Sequence, residues 1–247
     1  MLLPTIIVLV AIVIGFVIFT GFYTDWLWYD SVEATSVYTV TLTTRIIMFF
    51  AFGLTMAFLV GGTMWLAYRM RPKVATLTPE QASLERYRMT LEPFKIPALI
   101  IIPLLIGLLT GITASAEWGT FQRWMNGAEF GITDPQFGLD VAFYTFTYPF
   151  LRFVLGFAFA AIILSILLAI AVYYLYGGLR LQPKGDRASA AAQVHLSALV
   201  AIFLVLKAAA YWLDRFGLAI KSEALVQGFT GLTYVDANAV LPALTIL

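Results

Sequence analysis

FLRFVLGFAFAAIILSILLAIAVYYL, residues 150–175, contains a single charged side chain, Arg152, and closes on the pair Tyr173 and Tyr174. A helix rises 1.5 Å per residue, so about 20 apolar residues cross about 30 Å of hydrocarbon. The run is longer than that and far longer than a barrel strand. Inside lipid every backbone amide must find its partner within the same segment, and helix is the structure that provides one. Four further stretches of the same kind lie at residues 2–22, 43–66, 96–115 and 194–212. The expected fold class is therefore all-α: a polytopic transmembrane helical bundle of about five spans.

Composition agrees with this reading. Hydrophobic residues make up 61% of the chain and charged residues 12%, with a mean hydropathy of +0.90. Soluble domains carry about half apolar and about a quarter charged residues, so a water-soluble fold could not hide this surface. The first stretch lacks a basic leader and a small-x-small cleavage site before Asp25 and Trp26, and it reads as a retained anchor.

The connecting segments alternate in charge. Arg69, Arg71, Lys73, Arg86, Arg88 and Lys95 fall in the loop over 69–95, and Arg180, Lys184 and Arg187 fall between the fourth and fifth stretches. Asp25, Asp30 and Glu33 occupy the first connection; Glu117, Glu129, Asp134 and Asp140, with Arg123 and Arg152, occupy the third. Basic short loops stay in the cytoplasm. The expected arrangement places the amino terminus inside and the loop over 116–149 outside the cytoplasmic membrane. Aromatic residues collect where those edges fall, as at Trp26, Trp28, Trp65, Trp118, Trp124, Tyr173 and Trp212.

Other local signals are finer. Thr78-Pro79-Glu80-Gln81 predicts a short helix running to about Met89, with threonine as cap and proline in the first turn. Small residues recur every four positions: Ala11 and Gly15; Gly53, Ala57 and Gly61; Gly107, Gly111 and Ser115; Gly156 and Ala160. Such rows let helix backbones approach closely in lipid. They predict packing within the chain or against another subunit. Asn238 and Pro242 near the end of the sequence predict the start of a sixth helix over 240–247, about 12 Å long, as if a longer span had been cut short.

Much chemistry is excluded by residue type. The chain has no cysteine, so disulfides, iron-sulfur clusters and thiolate zinc sites have no ligands. His195 is the sole histidine, and none of Lys73, Lys95, Lys184, Lys207 and Lys221 follows a glycine, which removes bis-imidazole haem and the P-loop. A net charge of +1 recruits no nucleic acid. No nucleophile, base and orienter set is visible, so no catalytic residue, metal site, cofactor or enzymatic activity is expected.

The candidate site residues are few. Lys207 lies beyond the middle of the fifth stretch, a depth at which an ionisable group faces protein, water or a counter-charge, or else snorkels. Asp214 is seven residues on, near the same helical face but about 10 Å further along the axis, so Tyr211 or water is expected to bridge the two. Arg45 and Arg152 sit at span edges and read as anchors whose guanidinium groups reach headgroups or acidic loops. His195, at the inner edge of the last span, reads as solvated. Glu129, Asp134 and Asp140 form a second candidate site on the outer loop; their oxygens suit calcium by type, but the spacing matches no EF-hand. The aromatic residues Phe137, Phe143, Tyr144, Phe146 and Tyr148 predict a loop folded back as an apolar cap.

That loop also carries a resemblance. Phe130-Gly131-Ile132-Thr133-Asp134-Pro135-Gln136-Phe137-Gly138-Leu139-Asp140, then Phe143-Tyr144-Thr145-Phe146 and Pro149-Phe150, resembles the signature of an uncharacterised protein family of large, mostly actinobacterial, multi-spanning membrane proteins. Phe22-Tyr23-Thr24-Asp25-Trp26-Leu27-Trp28, Leu84-Glu85-Arg86-Tyr87-Arg88, Tyr173-Tyr174-Leu175-Tyr176-Gly177-Gly178, Lys207 to Arg215 and Tyr234-Val235-Asp236-Ala237-Asn238 are similar to it as well. The resemblance implies about seven amino-terminal spans followed by a large extracytoplasmic region, and it supplies no activity or catalytic residue.

Three functional readings follow. The first is a structural or assembly component of the bacterial cell envelope that anchors an extracytoplasmic region. The second is a transporter or lipid-handling protein with a polar site near Lys207, which requires polar groups converging there from other spans. A membrane enzyme is the third and weakest. The expected partners are the lipid bilayer and other membrane protein subunits.

Overall fold

A computed structural model describes residues 2–72, 87, 89–90, 92–180, 187–221 and 231–246. Their principal helices are α1 (Leu2–Ser31), α2 (Thr35–Arg69), α3 (Lys95–Ala116), α4 (Trp118–Met125), α5 (Tyr148–Leu175), α6 (Ala190–Gly217) and α7 (Leu241–Ile246). Among the described residues, five helical segments are long and apolar enough to cross a membrane: Pro4–Ser31, Thr35–Arg69, Glu92–Ala116, Phe143–Leu175 and Ala190–Ile220. The protein is thus an all-α bundle, as its apolar periods require. The helix expected from Thr78 lies outside the described residues, apart from helical Tyr87 and Met89 near its end.

Helix continues past the apolar stretches into the aromatic and acidic flanks. Asp25 and Asp30 lie on α1 itself, and α2 begins at Thr35, so the first connection shrinks to Val32–Ala34. Glu33 takes a positive φ of 55° to make the reversal, and the Ala34 amide donates to the Tyr29 carbonyl at 2.8 Å. Tyr38 then reaches back, donating to the Phe22 carbonyl at 3.2 Å and meeting the Tyr29 ring at 5.3 Å. Every described side chain between Pro4 and Phe19 is exposed. Helix α1 is held to α2 at one end.

Helices α2 and α3 approach at backbone distance along two of the small-residue rows. A Cβ added at Gly107 would stand 2.5 Å from the Gly53 carbonyl oxygen and 2.9 Å from the Ala57 Cβ. One at Gly111 would stand 2.8 Å from the Phe49 carbonyl, and one at Gly61 3.3 Å from Pro103. Gly53, Ala57 and Gly61 therefore interlock with Pro103, Gly107 and Gly111. The other rows behave differently: a Cβ at Gly15 or Gly156 meets nothing within 4 Å.

Helix α5 lies against the same α2. Phe52 contacts the edges of Phe153 and Phe157, each at 4.9 Å, above a buried cluster of Met56, Val60, Met64 and Ala161. Helix α6 packs on α5 through Ile162, Ala169, Tyr173, Ala192 and Leu199, with Ala67 of α2 joining them. Threonine hydroxyls inside the spans return to carbonyls four residues back, as Thr44 does to Val40 at 2.7 Å and Thr110 to Ile106 at 2.8 Å. Each hydroxyl is thereby satisfied without water.

The final helix begins earlier than expected. Thr233, rather than Asn238, caps it: its hydroxyl accepts from the Asp236 amide at 3.1 Å, while the Asp236 carboxylate accepts from the Thr233 amide at 3.1 Å. This reciprocal pair is a capping box with aspartate in the acidic position. Asn238 instead donates to the Tyr234 carbonyl from within the helix. The Thr233 hydroxyl and amide, with Lys221 beyond them, hold the Asp236 carboxyl below the usual carboxylate range.

Candidate functional site

The two ends of the bundle carry different chemistry. At the acidic end the segment after α3 folds first into α4, whose one apolar face seats on the bundle. Trp124 stacks on Phe150 at 4.1 Å, Gln122 donates to Thr44, and the Arg45 guanidinium lies 5.6 Å from the Trp118 ring centroid. A tight turn follows. The Asp134 amide donates to the Leu139 carbonyl and the Gly138 amide to the Asp134 carbonyl, each at 2.8 Å, with Gly138 at φ 67°.

The carboxylates here point into the loop. Asp140 accepts from the amides of Ala142 at 2.7 Å, Gly131 at 2.8 Å and Phe130 at 3.1 Å. Those amides, Ala142 foremost, hold its carboxyl below the usual range against the opposing effect of burial. Asp134 accepts from the Phe137 amide at 2.6 Å and the Tyr144 hydroxyl at 3.2 Å. Glu129 is exposed and does not join them. Among the described residues no three acidic or histidine side chains are grouped as metal ligands. Both carboxylates act as staples within the loop, Asp140 on three backbone amides and Asp134 on one amide and the Tyr144 hydroxyl.

The staples present the aromatic cap that the sequence predicts. Phe137 and Phe143 meet Phe216 edge-on at 5.1 and 5.2 Å, and Tyr144, Tyr148, Leu213 and Phe216 are buried together. Gly217 is needed beneath them, since a Cβ there would lie 2.5 Å from the Tyr148 hydroxyl.

Beside the cap, the proposed grouping of Lys207, Tyr211 and Asp214 divides. Asp214 pairs with Arg152 of α5 at 2.6 Å, and the Arg152 guanidinium also lies 5.5 Å from the Tyr148 ring. Arg152 thus reaches an acidic side chain, that of Asp214, while Lys207 meets Tyr211, the residue expected between it and Asp214. Two turns separate Lys207 from Asp214 along one helix, whereas Arg152 arrives at the level of Asp214 from the neighbouring helix. Lys207 is exposed on α6 between exposed Val205 and Ala208, its ammonium 4.6 Å from the Tyr211 ring centroid. It therefore extends toward the acidic end along its own helix.

Two arrangements escape sequence reasoning. His195 is 7% exposed rather than solvated, and its Nδ1 lies 3.0 Å from the hydroxyl of fully buried Tyr173. The second is at the basic end. The Arg71 guanidinium sits between the rings of Tyr68 and Tyr176, its Cζ 3.9 and 4.7 Å from their centroids. Glu92 accepts from Tyr176 at 3.5 Å and from Lys95 at 2.5 Å. The aromatic and basic residues were legible as interface markers; their convergence from α2, the turn before α3 and the end of α5 was not.

Comparison with known proteins fits this architecture. The model of the uncharacterised protein family UPF0182 matches residues 2–247. A UPF0182 protein of Streptomyces coelicolor is 53% identical over 100% of this chain and 25% of its own length. One from Salinispora arenicola is 46% identical over 91% of the chain and 23% of its own, and one from Frankia casuarinae is 44% identical over 100% and 24%. The chain thus spans about a quarter of the length of the curated relatives it matches. No solved structure matches it. With the family model covering the chain nearly from end to end, this protein belongs to the uncharacterised protein family UPF0182.

Proposed function

We propose that the chain is a structural and assembly module of the bacterial cell envelope: a multi-pass domain of the cytoplasmic membrane, amino terminus inside, that anchors an extracytoplasmic region at its acidic end. The reading assigns it no catalytic residue. Its orientation rests on the charge of the connections, with Arg69, Arg71, Lys95 and Arg180 at one end and Glu117, Asp134 and Asp140 at the other.

One observation carries the assembly role. Lys207 stands on an exposed face of α6 among Leu204, Val205 and Ala208, about 10 Å below Asp214 along the helix. An ammonium at such depth costs about 2.5–3.5 kcal/mol on insertion scales when lipid alone faces it. Its Tyr211 contact offsets a part of that, about 0.5–2 kcal/mol. A polar group on another polypeptide segment supplies the rest, so this face of α6 is an interface. Transport or lipid handling at Lys207 is less well supported, because Asp214 is already engaged by Arg152.

The test compares Lys207→Met and Lys207→Arg in the full-length protein in its native membrane, by native electrophoresis and membrane fractionation. The expected result is a smaller assembly for Lys207→Met at unchanged membrane insertion, with Lys207→Arg retaining the original size. Equal sizes for all three proteins would overturn the reading.

A further inference from the structure

A cavity opens at the basic end between α2, α3 and α5. Its volume is about 250 Å³, and Met64, Leu99, Ile102, Leu168 and Val172 give it apolar walls. Tyr68, Lys95 and Tyr176 stand among the lining residues as its polar members. Two of them, Tyr68 and Tyr176, meet edge-on at 5.2 Å, and the Arg71 guanidinium carbon lies 3.9 and 4.7 Å from their ring centroids.

The cation is incompletely satisfied. Arg71 Nη1 is buried and has no hydrogen-bond partner. A guanidinium offers five N–H donors, and a buried one left unmade is costly. The adjacent carboxylate, Glu92, is taken by Lys95 at 2.5 Å and Tyr176 at 3.5 Å. Contact with two tyrosine rings at right angles holds the guanidinium in place, which leaves its unpaired donor positioned for a planar or tetrahedral oxyanion.

We infer that this is a binding site for an anionic membrane phospholipid, whose phosphate pairs with Arg71 and Lys95 while one acyl chain enters the cavity. An apolar pocket under a held cation complements an amphiphile with a charged head. A free phosphate would satisfy Arg71 and leave the apolar walls unused, which is why the lipid is the better occupant. The site stands whichever leaflet supplies the lipid; the orientation proposed above assigns the inner one.

The experiment uses the full chain in non-ionic detergent, with native mass spectrometry as readout. Phosphatidylglycerol, phosphatidylcholine and inorganic phosphate are the probes. The expected result is a retained phosphatidylglycerol adduct that exceeds the phosphatidylcholine adduct and that millimolar inorganic phosphate does not displace. Arg71→Gln weakens phosphatidylglycerol binding about tenfold or more, the loss of one charged hydrogen bond. Ala98→Phe, which places a ring in the cavity wall, weakens it with Arg71 intact, and it carries the test if Arg71→Gln fails to fold as judged by helicity and elution volume. Displacement by inorganic phosphate would show an anion site and overturn the lipid assignment. Equal phosphatidylglycerol binding by wild type, Arg71→Gln and Ala98→Phe would overturn the site.

Discussion

Gly107→Ala tests whether the α2 and α3 contact holds the bundle. The new methyl would stand 2.5 Å from the Gly53 oxygen, and ordinary contact begins at 3.4 Å, so the helices must part by about 0.9 Å there. Both near atoms, the Gly53 carbonyl and the Ala57 Cβ, are fixed to backbone and cannot rotate away. Overpacking of this kind costs about 1–3 kcal/mol. Alanine's helix propensity, worth about 1 kcal/mol over glycine in water, does not offset it, because separated helices in lipid remain helical. The substitution should therefore weaken α2 and α3 association by about 5- to 150-fold. Gly156→Ala is the control, since its methyl meets nothing within 4 Å. The assay exploits the absence of native cysteine. A Gly61→Cys, Pro103→Cys pair, at positions whose Cβ atoms come within 3.3 Å, should form a disulfide readily in membranes. Gly107→Ala should lower that yield and the unfolding temperature in detergent, and Gly156→Ala should change neither. Identical yields and melting for the two variants would refute the reasoning.

Two further perturbations address the acidic end. The Asp140 carboxyl is held low by its amide donors, so its contribution to loop stability is complete above the unfolded value near 4 and is lost as pH falls through the lower folded value. Hydrogen exchange over residues 130–142, corrected for intrinsic rate, should stay protected down to about pH 4 and rise below it, while Asp140→Asn should exchange fast throughout; a pH-independent wild type with an equally protected variant would contradict this. For Arg152 and Asp214, whose side chains are 43% and 30% exposed, a double-mutant cycle with Arg152→Gln and Asp214→Asn should give a coupling of about 0.2–1 kcal/mol, the range for partly solvated pairs. Strict additivity in thermal unfolding would show the pair to be idle.

Much of the fold was readable because span length is a property of local composition. The row Gly53, Ala57, Gly61 likewise announced close packing, and α3 supplies the matching row. What the sequence concealed depends on neighbours. Asp25 and Asp30 look like loop residues, yet an interfacial helix accommodates aromatic and acidic side chains as well as a loop does. Arg152 and Asp214 are remote in sequence, and only the pairing of α5 with α6 makes them partners. His195 is buried because Tyr173 faces it, a relation that no single-helix reading reveals. Carboxylates at Asp134 and Asp140 offer the same oxygens to an ion or to amides; the positive φ angles of Gly131 and Gly138 turn the chain so that amides converge on them. The Thr233 to Asp236 capping box lies upstream of Asn238 and Pro242, so the helix starts before the signals that those two residues give.

The short Val32–Ala34 reversal has a mechanical result. Among the described residues, the contacts of Phe22, Tyr29 and Tyr38 fasten α1 to α2 at one end, which makes that end a natural pivot. The portion beyond the pivot, residues 2–22, is about 30 Å long, so a swing of roughly 10° moves its tip by roughly 5 Å. Such a helix can match a thinner or thicker bilayer by leaning, while the remaining helices keep their mutual register.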